Sequence, residues 1–251
     1  MALAPLRAEA QDKSEMTSQL LFGECVRVLS QCPKWLHVKN EYDAYEGWIS
    51  DKQVTLLPPA DYNSTMSHST HLCEDLSAEA HFNQQTLSLT KGAVLPLFNK
   101  GKFQIGQQYF ETKCRVIDSS KNKPTQEKLI TTALQYINAP YLWGGRSPFG
   151  IDCSGFTQAV FRFFGIKLYR DAYQQASQGR EIEYINHVQA GDLAFFDNEQ
   201  KKIIHVGIIL PESKIIHASG FVRIDTIDHN GIFNEESGTY SHKLRIIRRI
   251  V

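Results

Sequence analysis

The sequence predicts an α+β protein in which two small β barrels precede a domain of helices packed on an antiparallel sheet. Three observations carry this. Up to about residue 123 the apolar residues come in short β-like runs separated by Gly, Pro and Asn. From Thr125 the spacing becomes helical, and from residue 193 onward β-like runs return. Helices first and strands afterwards is an α+β arrangement.

The first barrel is expected over residues 1–60, from runs at 25–29 (CVRVL), 35–38 (WLHV), 47–49 (GWI) and 54–57 (VTLL). A weaker second round at 86–89, 92–97 and 102–113 places another barrel within 61–122. Residues 58–69 (PPADYNSTMSHS) and 119–124 read as linkers. His68, His71, Cys73 and His81 fall nearby, but their spacing matches no zinc module, and no metal site is expected.

The third part covers 123–251. Leu129, Ala133, Leu134, Tyr136 and Ile137 lie on one helical face, and Pro140 stops the run. A second helix opens at Cys153, carries Phe156, Ala159, Val160, Phe163 and Phe164, and ends at Gly165. Strands follow at 193–196, 203–210, 214–218, 222–226 and 243–250.

The chain has 251 residues, 42% of them hydrophobic, enough to fill more than one core. Lys plus Arg equals Asp plus Glu at 27 each, so no global positive field gathers nucleic acid or anionic lipid. No apolar run approaches the roughly 20 residues of a membrane span. Neither nucleic acid nor membrane is expected as a partner, and a monomer is. Ala8-Glu9-Ala10 looks like a cleavage site, yet no apolar stretch precedes it. As written the chain reads as cytoplasmic; a leader removed before Met1 would make it periplasmic or secreted. Five cysteines without a CxxC argue against a disulfide framework and leave room for a working thiol.

Cys153 is the candidate. It opens a helix in GIDCSGF (150–156), where unpaired N–H groups and the helix dipole favour an anion, so its pKa is expected to fall. A thiolate enzyme needs a partner that takes the proton and passes it to the leaving amine. His205 sits in an otherwise apolar strand, and His217 follows twelve residues later on the next. A short turn at 211–213 can set the two imidazoles side by side, one fixing the tautomer of the other.

Five motifs in order, YLWGG (141–145), DCSGF (152–156), GDL (191–193), HVG (205–207) and HASG (217–220), closely resemble the NlpC/P60 cysteine peptidases. The resemblance spans about Thr125 to Val251 and implies a papain-like fold. It makes Cys153 the nucleophile, His205 the general base and acid, and His217 the third, polar member. It also makes Tyr141 a lining residue that assists the oxyanion, alongside the backbone N–H of Cys153 or Ser154. No cofactor is implied.

Within that family, LFGE (21–24), YEGWI (45–49) and YRDAYQQ (169–175) resemble the dipeptidyl-peptidase VI branch, γ-D-glutamyl-L-diamino acid endopeptidases with bacterial SH3-like domains ahead of the catalytic domain. The resemblance implies that Glu24, Tyr45 and Asp171 bind a substrate ammonium, with Asp152, Ser154 and Ala172 lining the dipeptide. Asp152 could instead orient its loop, and Asp171 could cap a helix. Arg146 is a candidate for the α-carboxylate of D-Glu. The implied partner is a released murein stem peptide, L-Ala-γ-D-Glu-L-diamino acid, cut after D-Glu. The rival readings are an endopeptidase acting on polymeric wall and an inactive wall-binding module.

Overall fold

The N-terminal β runs assemble into a five-stranded antiparallel sheet in the computed structural model, which describes residues 1–184, 187–235 and 237–251. Its strands are β1 (Leu3–Arg7), β2 (Met16–Leu21), β3 (Val26–Cys32), β4 (Trp35–Asn40) and β5 (Glu46–Ser50), in the order β2-β1-β5-β4-β3. Ala4, Leu6, Leu20, Leu36, Val38 and Ile49 form the core between them.

The sequence reading missed β1 and β2 and misplaced a strand at 54–57. The reason is polarity: β2 buries Ser18 and Gln19, which hides the apolar alternation. Residues 54–57 follow a short 3₁₀ turn instead of pairing. The expected linker holds a helix, α1 (Pro59–Ser67), with Pro at its first position, where the fixed φ suits a helix start and the missing N–H costs nothing.

The second sheet region comprises β6 (His71–Cys73), β7 (Ser77–Phe82), β8 (Gln85–Thr90), β9 (Lys102–Ile105), β10 (Gln108–Thr112) and β11 (Val116–Asp118). Strands β8-β7-β10-β9 form one sheet and β11-β6 a ribbon. They enclose Cys73, Ala80, Leu89, Phe103 and Phe110, the two phenyl rings stacked at 4.9 Å.

The chain forms two compact units, and their border is not the clean break expected near residue 123. Unit 1 holds Met1–Lys123 and also Trp143–Pro148 and Arg162–Lys167; unit 2 holds Pro124–Leu142, Phe149–Phe161 and Leu168–Val251. Gly144 shows why the segment from Trp143 belongs with unit 1. At φ +75° it rests so near the Met16 carbonyl that a Cβ would lie 2.4 Å from that oxygen.

Unit 2 begins with α2 (Gln126–Leu134), capped by Thr125, whose Oγ1 accepts from the Lys128 N–H at 3.2 Å. After β12 (Arg146–Ser147) and β13 (Gly150–Ile151) comes α3 (Cys153–Arg162), then α4 (Ala172–Gln175). The sheet contains β14 (Arg180–Glu181), β15 (Leu193–Asp197), β16 (Ile203–Leu210), β17 (Lys214–Ser219), β18 (Phe221–Ile227), β19 (Gly231–Asn234) and β20 (Thr239–Arg249). Its order is β14-β20-β15-β16-β17-β18-β19, and β20 also pairs with β19, closing the sheet on itself. Strand β19 was not expected. Residues 193–196 in β15 are fully buried, which explains their unbroken apolar run. Between β16 and β17, Glu212 and Ser213 both take left-handed φ values, 59° and 54°, as a tight hairpin requires.

Candidate active site

Two cross-strand pairings build the centre of the site. On β16 and β17, Gly207 stands directly opposite His217, so His205, two residues back on the same face, lies diagonal to it. His205 Nε2 and His217 Nδ1 are 2.8 Å apart. Gly207 makes this possible, because a Cβ there would sit 2.9 Å from the His217 Cβ and 2.7 Å from Ile215 Cδ1. The HVG motif is therefore a steric requirement for bringing two imidazoles together.

On β17 and β18, His217 opposes Arg223, which places Asp225 diagonal to the imidazole on the other side. The His217 Nε2 to Asp225 Oδ2 distance is 2.8 Å, and Arg223 donates to Asp225 Oδ1, also at 2.8 Å. Burial alone would raise Asp225, but the His217 and Arg223 hydrogen bonds hold it below the usual carboxylate range. Asp225 and Arg223 were missed in the sequence. Their signal was present as period-two spacing from a strand opposite HASG, but it becomes legible only once the register is known.

Cys153 is the first residue of α3. The N–H of Val206, the residue after His205, and the N–H of Ser154 both donate toward its sulfur. The helix is capped by Asp152, whose Oδ1 accepts from Gly155 N–H at 2.7 Å. Arg170 clamps that carboxylate from behind, NH1 to Oδ1 at 3.0 Å and NH2 to Oδ2 at 2.5 Å, and reaches Ser154 Oγ at 3.0 Å. The clamp lies in the interior: Arg170 is 1% exposed. These bonds let Asp152 orient its loop, one of the two roles foreseen for it, and Arg170 is a third residue that sequence reasoning passed over.

The thiol itself departs from expectation. Burial and the Asp152 charge push Cys153 up to about 12, and the Val206 N–H, Arg170 and Ser154 N–H recover only part of this. Burial, with His217 and His242, drives His205 well below its ordinary value. Both shifts favour the uncharged forms, thiol for Cys153 and imidazole for His205. A lowered thiol pKa was expected, and desolvation works against the helix dipole.

Tyr141 borders the sulfur. Burial and the nearby Cys153 and Asp152 push its hydroxyl up to about 12, so it remains an O–H donor at neutral pH. Its strand-like segment is fixed by Tyr141 N–H to Gly220 O at 3.0 Å and a bridge to Ile151. His242, on β20, stacks on His205 with ring centroids 4.1 Å apart. Asp171 stands at the N-cap of α4, where its N–H donates to Gln174 Oε1 at 3.2 Å, and Ala172 is buried in the first turn.

Glu24 and Tyr45 belong to unit 1. Tyr45 is half-buried in the β4–β5 turn, its N–H donating to Asp43 Oδ1 at 3.1 Å. Glu24 is not an open anion. Its side chain is 1% exposed and takes hydrogen bonds from Leu21 N–H, Arg162 NH1 and both terminal nitrogens of Arg146, at 2.8 and 3.0 Å. Burial would raise its pKa, but the two guanidiniums bring it down to about 2. Its expected role as an ammonium ligand conflicts with this arrangement, because both oxygens already serve cations. Arg146 is likewise engaged, with Glu24 and with the Gln19 carbonyl at 2.6 Å, and is not presented to a substrate carboxylate.

The NlpC/P60 family profile matches residues 138–239, and that of the bacterial dipeptidyl-peptidase Sh3 domain matches 6–54. A gamma-D-glutamyl-L-lysine dipeptidyl-peptidase of Bacillus subtilis is 32% identical over 216 residues, covering 80% of this chain and 71% of the relative. The chain belongs to the NlpC/P60 family.

This NlpC/P60 cysteine peptidase is also similar to dipeptidyl-peptidase 6 of Lysinibacillus sphaericus, 28% identical over 241 residues, 86% of this chain and 85% of the relative. In fold it resembles the crystal structure of an NlpC/P60 family protein from Bacillus cereus, with a TM-score of 0.83 over 99% of this chain and 97% of the other at 22% identity.

Proposed function

We propose that this NlpC/P60 peptidase hydrolyses the γ-D-glutamyl-L-diamino acid bond of released murein stem peptides that carry an unblocked N-terminal L-Ala, liberating L-Ala-γ-D-Glu. Cys153 attacks the γ-carbonyl while its proton passes to His205. His205 then protonates the leaving amine and activates water against the thioester. The tetrahedral oxygen is received by backbone N–H at the start of α3, assisted by the Tyr141 hydroxyl.

The observation that carries the reading is the His205–His217 contact at 2.8 Å with the Cys153 sulfur against Val206 N–H, a constellation suited to acyl transfer. The substrate class rests on relatives named gamma-D-glutamyl-L-lysine dipeptidyl-peptidase in two Bacillus species, at 32% and 28% identity. Removal of a dipeptide presupposes a free amino end, which polymeric murein does not offer.

The test is incubation with L-Ala-γ-D-Glu-L-Lys and its N-acetylated twin, products read by mass spectrometry. Cleavage of the first with strong preference over the second is expected. Equal cleavage would discard the free-amine requirement and favour an endopeptidase acting on polymeric wall.

A further inference from the structure

We propose that Asp225 is a positioning residue of this peptidase, setting the proton order along His217 and His205 so that Nδ1 is the basic nitrogen of His205. The inference rests on His205 being the base, as read above. It adds a fourth member to the constellation, on a different strand.

For an uncharged His217 the hydrogen bonds admit one consistent order. A carboxylate only accepts, so at 2.8 Å the His217 Nε2 must carry the proton that faces Asp225 Oδ2. A neutral His217 then has a lone pair on Nδ1. His205 Nε2, 2.8 Å from that lone pair, must be the donor. With its Nε2 proton spent, the unprotonated nitrogen of neutral His205 is Nδ1. The order originates at Asp225, which is itself held by Arg223 NH2 on its other oxygen.

Without Asp225, nothing in this chain of bonds requires His217 to keep its proton on Nε2. Shifting it to Nδ1 would force His205 to accept through Nε2 and carry its proton on Nδ1, which turns the base into a donor. The carboxylate has a second effect. When His205 takes the Cys153 proton it becomes a buried cation, and the negative charge beyond His217 offsets part of that cost. The charged and titratable groups around His217 are His205 on β16, Arg223 and Asp225 on β18 and His242 on β20.

Two substitutions separate order from charge. Asp225→Asn keeps an acceptor for Nε2–H and removes the charge; Asp225→Ala removes both. Loss of kcat by ~10-fold for Asp225→Asn and ~10²-fold or more for Asp225→Ala is expected, with KM little changed, on the scale of general-base effects. The acid limb of kcat should move to lower pH in both, because the imidazolium loses its counter-charge. A purely structural Asp225 would give variants whose folded fraction has normal kcat and an unmoved pH limb, which overturns the proposal.

Imidazole ¹⁵N spectra of the full chain carrying Cys153→Ala, with Asp225 intact, keep the test open should both variants fail to fold. The expected result is His217 protonated on Nε2 and His205 on Nε2 near neutral pH. Finding His217 with its proton on Nδ1 refutes the relay. Peptidase activity surviving Cys153→Ala would instead refute the reading on which the relay rests, so the two failures are distinguishable.

Discussion

Two buried carboxylates, Glu24 in unit 1 and Asp225 in unit 2, have similar surroundings and do different things. Each is held by arginine: Glu24 by Arg146 and Arg162, Asp225 by Arg223. For Glu24 both oxygens end on guanidiniums, which stay protonated at any working pH, so the cluster is a fixed rivet. For Asp225 one oxygen ends on an imidazole, and that imidazole meets another, which precedes the Val206 N–H that reaches the Cys153 sulfur. A buried acid becomes part of a reactive chain when its partner can exchange a proton, and remains scaffolding when its partners cannot.

The sharpest way to break this contrast is to remove the reactive end. Cys153→Ala should abolish turnover, a fall of ~10³-fold or more judged from other triad deletions. The loss of one sulfur from a helix start should leave folding nearly unchanged. Mass spectrometry of the peptide products and a thermal melt check the two halves, and appreciable residual hydrolysis would remove Cys153 from the nucleophile role.

Removing the rivet should do the reverse. Glu24→Ala leaves Arg146 and Arg162 buried opposite no carboxylate, and truncating one partner of such a cluster costs about 3–5 kcal/mol. Urea unfolding should show that loss, while KM for the stem peptide, corrected for folded fraction, stays near the parent value. A raised KM with undiminished stability would return Glu24 to substrate binding.

What the sequence disclosed follows the same division. Cys153, His205 and His217 could be read in advance because each sits in a short motif whose neighbours have local reasons to be there: a helix start, an apolar strand, a glycine. The helix from Cys153 and the β16–β17 hairpin were legible for the same cause. The Glu24 ion-pair cluster was not legible because its partners come from residues 146 and 162, over a hundred positions away, and a buried ion pair leaves no local pattern. Asp225 was missed because its partner depends on strand register. β2 was missed because buried Ser18 and Gln19 break the alternation on which strand reading relies.

A smaller effect probes the geometry that joins the two imidazoles. Gly207→Ala inserts a methyl 2.9 Å from the His217 Cβ, closer than side chains tolerate, so β17 or the ring must yield. Displacements of about 1 Å near reacting groups can cost ~10²-fold. A fall in kcat of ~10- to 10²-fold is expected, with destabilisation of about 1–3 kcal/mol from overpacking. Kinetics alongside urea melts separate the two, and unchanged kcat would show that the imidazole contact tolerates a wider spacing.

The smallest expected effect is on stability against pH, where the contrast between proton-exchanging and fixed partners should appear in the whole molecule. Burial and neighbouring imidazoles hold His205 well below 6.5 and bring His242 down to about 4. In the unfolded chain both titrate near about 6.5. As pH falls through that value, the unfolded state takes up protons that the folded state refuses, so stability is full above it and declines toward the lowered folded values. The Glu24 cluster acts lower, its contribution declining as pH falls through the ordinary carboxylate range of about 4.5 toward the folded value of about 2. His242→Phe keeps an aromatic ring against His205 but removes one of the two titrating groups. It should reduce the slope of unfolding free energy between about pH 6.5 and 4.5 by up to one proton. Urea unfolding at half-unit pH steps measures that slope; an identical slope in parent and variant would mean that His242 takes up its proton equally in the folded and unfolded chain, and that its stacking on His205 does not depend on its remaining neutral.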